Sequence, residues 1–544
     1  MKTVHYLLII AALSSVIFFT KLGGLALTDP DETFYAQTAK EMYEKGDWLT
    51  PRIFGEPQYE KPVLYYWLIM ASYIVFGVGE FSARFPSAIF AILGVFGVFF
   101  IGKLLYSKLN GFLSAVIMAT SLEYFVVGRG CVTDTVLTVL ILYTFLFFMA
   151  GWTTGRKLHY YAAAVAAALA VLTKGPIGLF IPGAAILVYL TFIGEIKYLF
   201  RRVPVFTAFL VFMAIALPWY IAVALSDGQA FMDEFFGLHN ITRFVHPEHK
   251  IGDTPFFYVP VVLGGIFPWS AFFIFAAWDM YKKKRGEIIP AQEAEGKAKS
   301  PELFLAVWFL LVFLFFSASR TKLVTYILPL FPPTALIVGR FWEKLIEGNA
   351  GDVSLAKKKK WSFIIFVITA ILAAGGAIGL VWHEFPGSLA IKGVLLGAGI
   401  FMLCVLLAWY FLKKGKMMFV FLAITISVLL IIPPVAVYIF PAIEEYESRK
   451  ELALAIKEFA LPNEKVGAES DHRRGIAFYS GIVEVEDIHP SEKRSEFFRR
   501  NERVWGVIKI RHYEQVKLDM KEKAPYEVKR TGKHVLVTNF PVQE

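Results

Sequence analysis

The sequence predicts a polytopic α-helical membrane protein of about thirteen spanning helices, followed by a small soluble α/β domain. Three observations carry that expectation. The chain of 544 residues is 57% hydrophobic and 18% charged, with a mean hydropathy of +0.56. An average soluble domain is about 45–50% apolar and about 25% charged. The apolar residues also fall in blocks, such as 81–101 and 362–380, near the roughly 20 residues that a spanning helix requires. Finally, the composition turns to that of ordinary soluble sequence after residue 441. From Ala442 onward there are 19 Lys+Arg and 19 Asp+Glu, so the whole net charge of +10 belongs to the part before it.

Taken in order, the expected spans are 4–26, 81–105, 109–128, 131–152, 158–174, 176–194, 203–225, 256–280, 302–319, 322–346, 361–384, 388–412 and 417–440. The first has no small-residue cleavage site after it and is expected to stay as a helix rather than be removed as a signal peptide. The apolar run 63–76 is shorter, and runs of about 10–14 residues are interfacial more often than spanning. Charge parity agrees with leaving it out. With Lys2 inside, the clusters Arg201-Arg202, Lys282–Arg285, Lys357–Lys360 and Lys413–Lys416 all fall inside, as the positive-inside bias requires. Counting 63–76 as a span would turn each of them outward. Residues 28–80 are therefore expected to form an extracytoplasmic loop of membrane-lying helices, and 226–255 a second long outer loop. Asp134, Lys174, Lys322 and the tail fall on the same face.

The tail, 442–544, is expected to be a small extracytoplasmic α/β domain. Arg449–Ala460 has helical periodicity, and strands are expected near 466–470, 504–510 and 534–540. Residues 286–300 form a polar linker, and no internal repeat is visible. Basic residues clustered in loops between apolar runs do not make the basic face of a nucleic-acid binder. Two cysteines, Cys131 and Cys404, exclude a disulfide framework and a cysteine-rich metal site.

The stretch TDPDETFYAQTAKEM (Thr28–Met42) places three carboxylates just after the first span. Asp29, with Pro30 next and Glu32 three residues on, has the pattern of a helix start. Asp31 is left over. Near the positive end of that helix it should stay ionised, with Tyr35 four residues on along the same face. Glu60 and Lys61 stand together before the interfacial run, where a charge beside lipid is costly unless used or paired. Asp134 opens an apolar helix. The loop FFGLHNITRFVHPEHK (Phe235–Lys250) holds His239, His246, His249, Arg243 and Lys250. His239 or His249 could join Glu60 on a divalent metal, zinc or magnesium/manganese, since imidazole and carboxylate are ordinary zinc ligands; the loop has no H-E-x-x-H spacing. Lys174, Arg320 and Lys322 lie at outer span ends. Singly, each could merely snorkel to the interface; together with Lys61 and Arg243 they could hold a phosphate. Cations aimed at a departing phosphate stabilise the charge that develops on it, and a carboxylate can deprotonate the acceptor.

Several of these segments occur in the order of a known family. Asp31-Glu32, Gly46–Trp48 (GDW), Tyr59–Trp67 (YEKPVLYYW), Gly128–Asp134 (GRGCVTD), Leu172–Pro176 (LTKGP), His239–Phe244 (HNITRF) and Lys322–Pro329 (KLVTYILP) resemble the GT-C membrane glycosyltransferases. The resemblance is to the bacterial aminoarabinose-transferase group and its protein O-mannosyltransferase relatives, over about residues 1–345. It implies a polyprenyl-phosphate-linked sugar donor, a membrane lipid (lipid A-like), glycan or protein acceptor, transfer on the extracytoplasmic side of the bacterial inner membrane, and no nucleotide cofactor. It implies catalytic roles for Asp31 and Asp134 and a place near metal and lipid phosphate for Glu60 and Lys61. His239 with Arg243 matches a His/Arg loop motif, and Lys322 with Tyr326 the K-L-x-T-Y segment. Val324 stands where that segment usually has proline, and Phe34 where the aminoarabinose enzymes tend to have arginine, so sugar and acceptor stay open. The rival class is a transporter or flippase, which would need ionisable groups near the bilayer midplane or discontinuous helices there.

Overall fold

The computed structural model describes residues 2–233, 235, 254–283, 300–348, 353–385, 388–469 and 472–541. The bundle opens with helix α1 (Thr3–Phe19). Helix α2 (Asp31–Lys45) follows and ends where Gly46 turns left-handed at φ +66°, a conformation that glycine takes without a Cβ clash. Although α2 is polar in sequence, Glu32 to Ala39, Glu41 and Met42 are all buried. It is sandwiched between the membrane domain and the C-terminal domain, and its polar atoms find partners there. Gln37 Nε2 donates to Glu41 Oε1 at 2.8 Å, and the same carboxylate accepts from Phe54 N and Gly55 N at 2.8 and 2.9 Å. Those two bonds fix the turn between β1 (Arg52–Ile53) and β2 (Glu56–Pro57).

Helix α3 (Leu64–Phe76) has 13 residues, about 20 Å at 1.5 Å per residue, short of the roughly 30 Å hydrocarbon core. Next come α4 (Glu80–Leu105), α5 (Lys108–Ala119), α6 (Leu122–Val127), α7 (Thr133–Thr154), α8 (Lys157–Lys174) and α9 (Ile177–Phe192). Among the described residues eight helices are long and apolar enough to cross a membrane, and a bent pair makes a ninth. Helices α1, α5 and α9 are shorter, and α8 falls outside that group. The chain is a multi-span membrane protein.

Two expected spans are not single helices. The 109–128 segment breaks between α5 and α6 at Thr120-Ser121. There the two hydroxyls bond back to Val116 O and Ile117 O, the local competition by which Ser and Thr end helices. The 256–280 segment is two helices, Tyr258–Gly265 and Ser270–Lys282, bent by 111°. Pro268 lies in the break, and its missing N–H and fixed φ are incompatible with a continuous helix.

Beyond Glu447 the chain forms an α/β unit. Strands β3 (Lys465–Ala468), β4 (Val485–Asp487), β5 (Val504–Lys509), β6 (Tyr526–Thr531) and β7 (His534–Thr538) lie in the order β4-β3-β5-β7-β6. Strand β3 is parallel to β4 and β5, and the β5–β7–β6 side is antiparallel. The three strands read from sequence are the central ones, whose fully buried residues give unbroken apolar runs. The edge strands β4 and β6 carry charged residues and were not legible.

The α/β unit docks on α2 through the helix Arg473–Ser480. Lys40 Nζ donates to Phe478 O at 2.9 Å, Leu27 N to Tyr479 Oη at 2.7 Å, and Lys450 Nζ pairs with Glu80 Oε1 at 2.7 Å. A Cβ at Gly475 would meet the Asp29 carboxylate at 2.8 Å, so only glycine allows this approach.

Candidate active site

The site grows from the first turn of α2. Asp29 is not the expected N-cap. Pro30 holds that position, and Asp29 Oδ1 instead accepts from Thr33 Oγ1 at 2.6 Å, with Oδ2 3.8 Å from His472 Nδ1. Glu32 does more than the expected helix-start acid. It accepts from Thr28 N at 3.0 Å, but its main partner is Arg84 of α4. Arg84 Nε and Nη2 donate to its two oxygens at 2.7 and 2.6 Å, and Cys131 N adds a third bond at 2.8 Å. The same guanidinium bonds to Leu22 O, Leu25 O and Ala26 O. One buried pair thus ties together the end of α1, α2, α4 and the turn before α7.

Asp31 is the first helical residue, and the expectation that the dipole simply keeps it ionised needs correction. Burial, and then the charge of Asp134, push its carboxyl above the ordinary value of 3.8; Arg474, Lys174 and Lys61 pull the other way. Asp31 therefore faces a second carboxylate and three cations from distant parts of the chain. A carboxyl moved up toward neutrality is a better proton acceptor than a free one.

Asp134 lies in the first turn of α7. Lys174, at the last residue of α8, reaches it with Nζ–Oδ1 of 2.6 Å, and the same ammonium lies 4.2 Å from the centre of the Tyr326 ring. This lysine does not snorkel; it is paired. Tyr35 Oη is 3.4 Å from Thr133 Oγ1, and its ring packs edge-on against Tyr65 at 5.3 Å and beside Tyr66 at 6.1 Å. The structure thus brings together Asp31, Asp134, Lys174, Tyr35 and Tyr326, with Lys61 in electrostatic reach of Asp31. Lys61 Nζ donates to Glu60 O at 3.1 Å. Lys322 is 5% exposed, and among the described residues it makes no hydrogen bond or ion pair. Arg320 is exposed.

His239, Arg243 and His249 lie outside the described residues. Among the described residues no three His, Cys, Asp or Glu side chains converge on one point. Two residues that shape this part of the structure escaped sequence reading. Arg84 could have been found as the lone cation near the start of an apolar span. Arg474 could not, because only the tertiary docking brings it to α2.

Residues 60–221 match the family described as dolichyl-phosphate-mannose-protein mannosyltransferase. A relative in Pectobacterium carotovorum subsp. carotovorum, the undecaprenyl phosphate-alpha-4-amino-4-deoxy-L-arabinose arabinosyl transferase, is 29% identical over 407 residues, 72% of this chain and 69% of its own. The crystal structure of ArnT from Cupriavidus metallidurans bound to undecaprenyl phosphate superposes with a TM-score of 0.80 and 21% identity, over 98% of each chain. The Archaeoglobus fulgidus oligosaccharyltransferase in its apo form shares the fold more loosely, with a TM-score of 0.53 and 12% identity over 94% of this chain and 70% of its own. In sequence this chain is similar to the aminoarabinose transferases, and it shares the fold of their solved structures, that of the GT-C membrane glycosyltransferases.

Proposed function

We propose that this chain transfers a sugar from a polyprenyl-phosphate donor to a lipid, glycan or protein acceptor at the extracytoplasmic face of the plasma membrane. The observation that carries the reading is the charge arrangement at the Asp31 end of the bundle. A carboxylate with a raised pKa faces the Asp134–Lys174 pair, and Lys322, four residues before Tyr326, is buried and makes no ion pair among the described residues. A buried cation without a counter-charge is costly, and a substrate phosphate would supply one. The names of the relatives, with undecaprenyl phosphate as sugar carrier in one and as bound molecule in another, support this donor class. The charged groups sit at span ends rather than mid-bundle, which suits a transferase better than a transporter.

In this reading Asp31 takes the proton from the acceptor O–H or N–H as that atom bonds to the anomeric carbon of the sugar. The carbon–oxygen bond to the phosphate breaks, and polyprenyl phosphate leaves with the electron pair. Lys61, Lys174, Lys322 and Arg243 hold the phosphate as it gains charge. Tyr35 and Tyr326 line the space between. Asp134 keeps Lys174 charged and in place, and its own charge strengthens Asp31 as a base. A divalent ion on Glu60, His239 and His249 is a further part of the proposal, and would polarise a phosphate oxygen when bound. Activity that survives full chelation of zinc, magnesium and manganese would remove it.

The test uses purified full-length protein in lipid nanodiscs with polyprenyl-phosphate sugars, following release of polyprenyl phosphate. Turnover with at least one such donor is expected. If no donor in this class turns over in the presence of envelope lipids, the reading fails.

A further inference from the structure

The soluble-domain helix that docks on α2 begins just after His472, whose ring is buried among charged and titratable groups from other parts of the chain. Its Nε2 lies 3.1 Å from Nε2 of His534, the first residue of β7, and 3.4 Å from Nη2 of Arg449, just before the helix Lys450–Phe459. Its Nδ1 faces Oδ2 of Asp29, two residues before Asp31, at 3.8 Å. His534 and Arg449 are buried as well. Glu469, three residues before His472, is taken up by Arg494 and His512, and Asp471 lies outside the described residues.

These contacts fix the protons. A guanidinium has donors and no acceptor, so His472 Nε2 has to turn a lone pair toward Arg449. His534 Nε2, aimed at the same atom, then has to donate its N–H. His472 keeps its single proton on Nδ1, toward Asp29, and both rings are neutral when docked. A further proton on His472 Nε2 would meet two N–H donors head-on. The other vacant position, His534 Nδ1, is buried with no hydrogen-bond partner among the described residues. Burial, followed by the charges of Arg449, His472, Lys509 and Lys533, holds the His534 ring well below its ordinary value of 6.5. Freed into water, a histidine ring takes up a proton near about pH 6.5. The docked form therefore binds fewer protons than the open one. The pair favours docking above that pH and loses this contribution as pH falls below it.

We infer that His472 and His534 form a proton-operated latch, which opens in acid and frees the start of the helix Arg473–Ser480 from the first turn of α2, the turn that carries Asp31. The path between latch and site is short. Asp29 packs on Gly475, where a Cβ would meet its carboxylate at 2.8 Å, and the Arg474 guanidinium lies over the Phe34 ring at 4.7 Å. Both contacts are lost when the segment opens. The consequence for sugar transfer rests on the function proposed above; the latch itself does not.

Hydrogen exchange of the full-length protein in nanodiscs reads the opening directly, across about pH 5–8, the window in which histidine changes charge, after correction for the intrinsic pH dependence of exchange. Peptides covering 29–36 and 473–480 should lose protection below about pH 6.5, with an opening constant that grows up to about tenfold per pH unit for one proton, while β5 stays protected. His472→Asn removes the titrating ring, and His534→Gln offers a protonated His472 an amide oxygen. Each should flatten the response, and His489→Gln, an exposed histidine on the same domain, should keep it. Protection that is independent of pH in the wild type, or that grows in acid, overturns the latch. So does a response that persists in both His472→Asn and His534→Gln, or one that is abolished by Asp471→Asn. Where sugar transfer is followed over the same range, its loss in acid should be shallower in the two variants than in the wild type. Equal acid limbs would leave that loss to Asp31 and overturn the control of transfer by the latch. Acid opening with no transfer from any polyprenyl donor at any pH would instead overturn the proposed function and leave the latch standing.

Discussion

At the residue scale the central tension is in Asp31. Burial and the Asp134 charge raise its pKa from 3.8, so its charged form is penalised by the fold. Below the unfolded value the penalty is absent; it grows as pH rises and is complete above the folded value. At neutral pH, therefore, Asp31→Asn should raise the thermal midpoint while lowering kcat by roughly 10²–10⁴, the usual contribution of a general base. In the same terms, kcat/KM of the wild type should climb with pH through the raised pKa, and this limb should vanish in the variant. Unchanged kcat in Asp31→Asn would remove Asp31 from the base role, and a lowered midpoint would contradict the burial argument. Asp134 and Lys174 stood out in the sequence as charges at the edges of apolar runs, and Asp31 as the carboxylate left over once Asp29 and Glu32 are assigned to the helix start. What was not legible was their pairing: nothing local says that Lys174 closes on Asp134 across two helices.

At the scale of elements, the Glu32–Arg84 clamp decides whether α2 can present Asp31 at all. Arg84 is 4% exposed and Glu32 7%. Breaking a buried pair by removing one partner leaves an uncompensated charge and costs about 3–5 kcal/mol. Arg84→Met should therefore destabilise the protein by about that amount in denaturant titration, and Glu32→Gln with Arg84→Met together should cost less than the sum of the single changes. Additive losses would show that the two side chains act independently. Burial alone would raise the Glu32 pKa, but the Arg84 guanidinium holds it below its ordinary 4.5. Its contribution is accordingly present above that value and lost as pH falls through the folded pKa, so the difference between wild type and Arg84→Met should shrink in acid. The sequence pointed to Glu32 as a cap because local patterns carry capping information. They carry none about a partner 52 residues away on another helix. Helix breaks at 120–121 and in 266–269 were missed for a related reason: hydropathy averages over a window and does not see a two-residue interruption inside an apolar block.

At the scale of the whole molecule, the docking of the soluble domain turns the parity argument into geometry. Lys40 and Leu27, before α3, and Glu80, after it, all bond to the soluble domain. Both ends of α3 therefore lie on one face, and α3 does not cross. Between Glu80 and that domain the chain must then cross an even number of times. The thirteen expected spans less the first leave twelve, provided that the bent pair Tyr258–Gly265 and Ser270–Lys282 counts as one crossing rather than a re-entrant loop. Which face this is rests on the positive-inside bias alone, and a labelling experiment settles it. Cys131 and Cys404 are buried, so the background is low. Nothing lies within 4 Å of a Cβ at Gly79, and its backbone is extended at φ 176°, so a cysteine fits there without strain. Gly79→Cys and Lys493→Cys should both react with a membrane-impermeant maleimide added to intact spheroplasts, whereas Lys414→Cys should react only after permeabilisation. Reaction of the first two only after permeabilisation would invert the molecule and place transfer on the cytoplasmic side. Opposite behaviour of Gly79→Cys and Lys493→Cys would separate the soluble domain from α2, and with it the route by which Arg474 reaches Asp31.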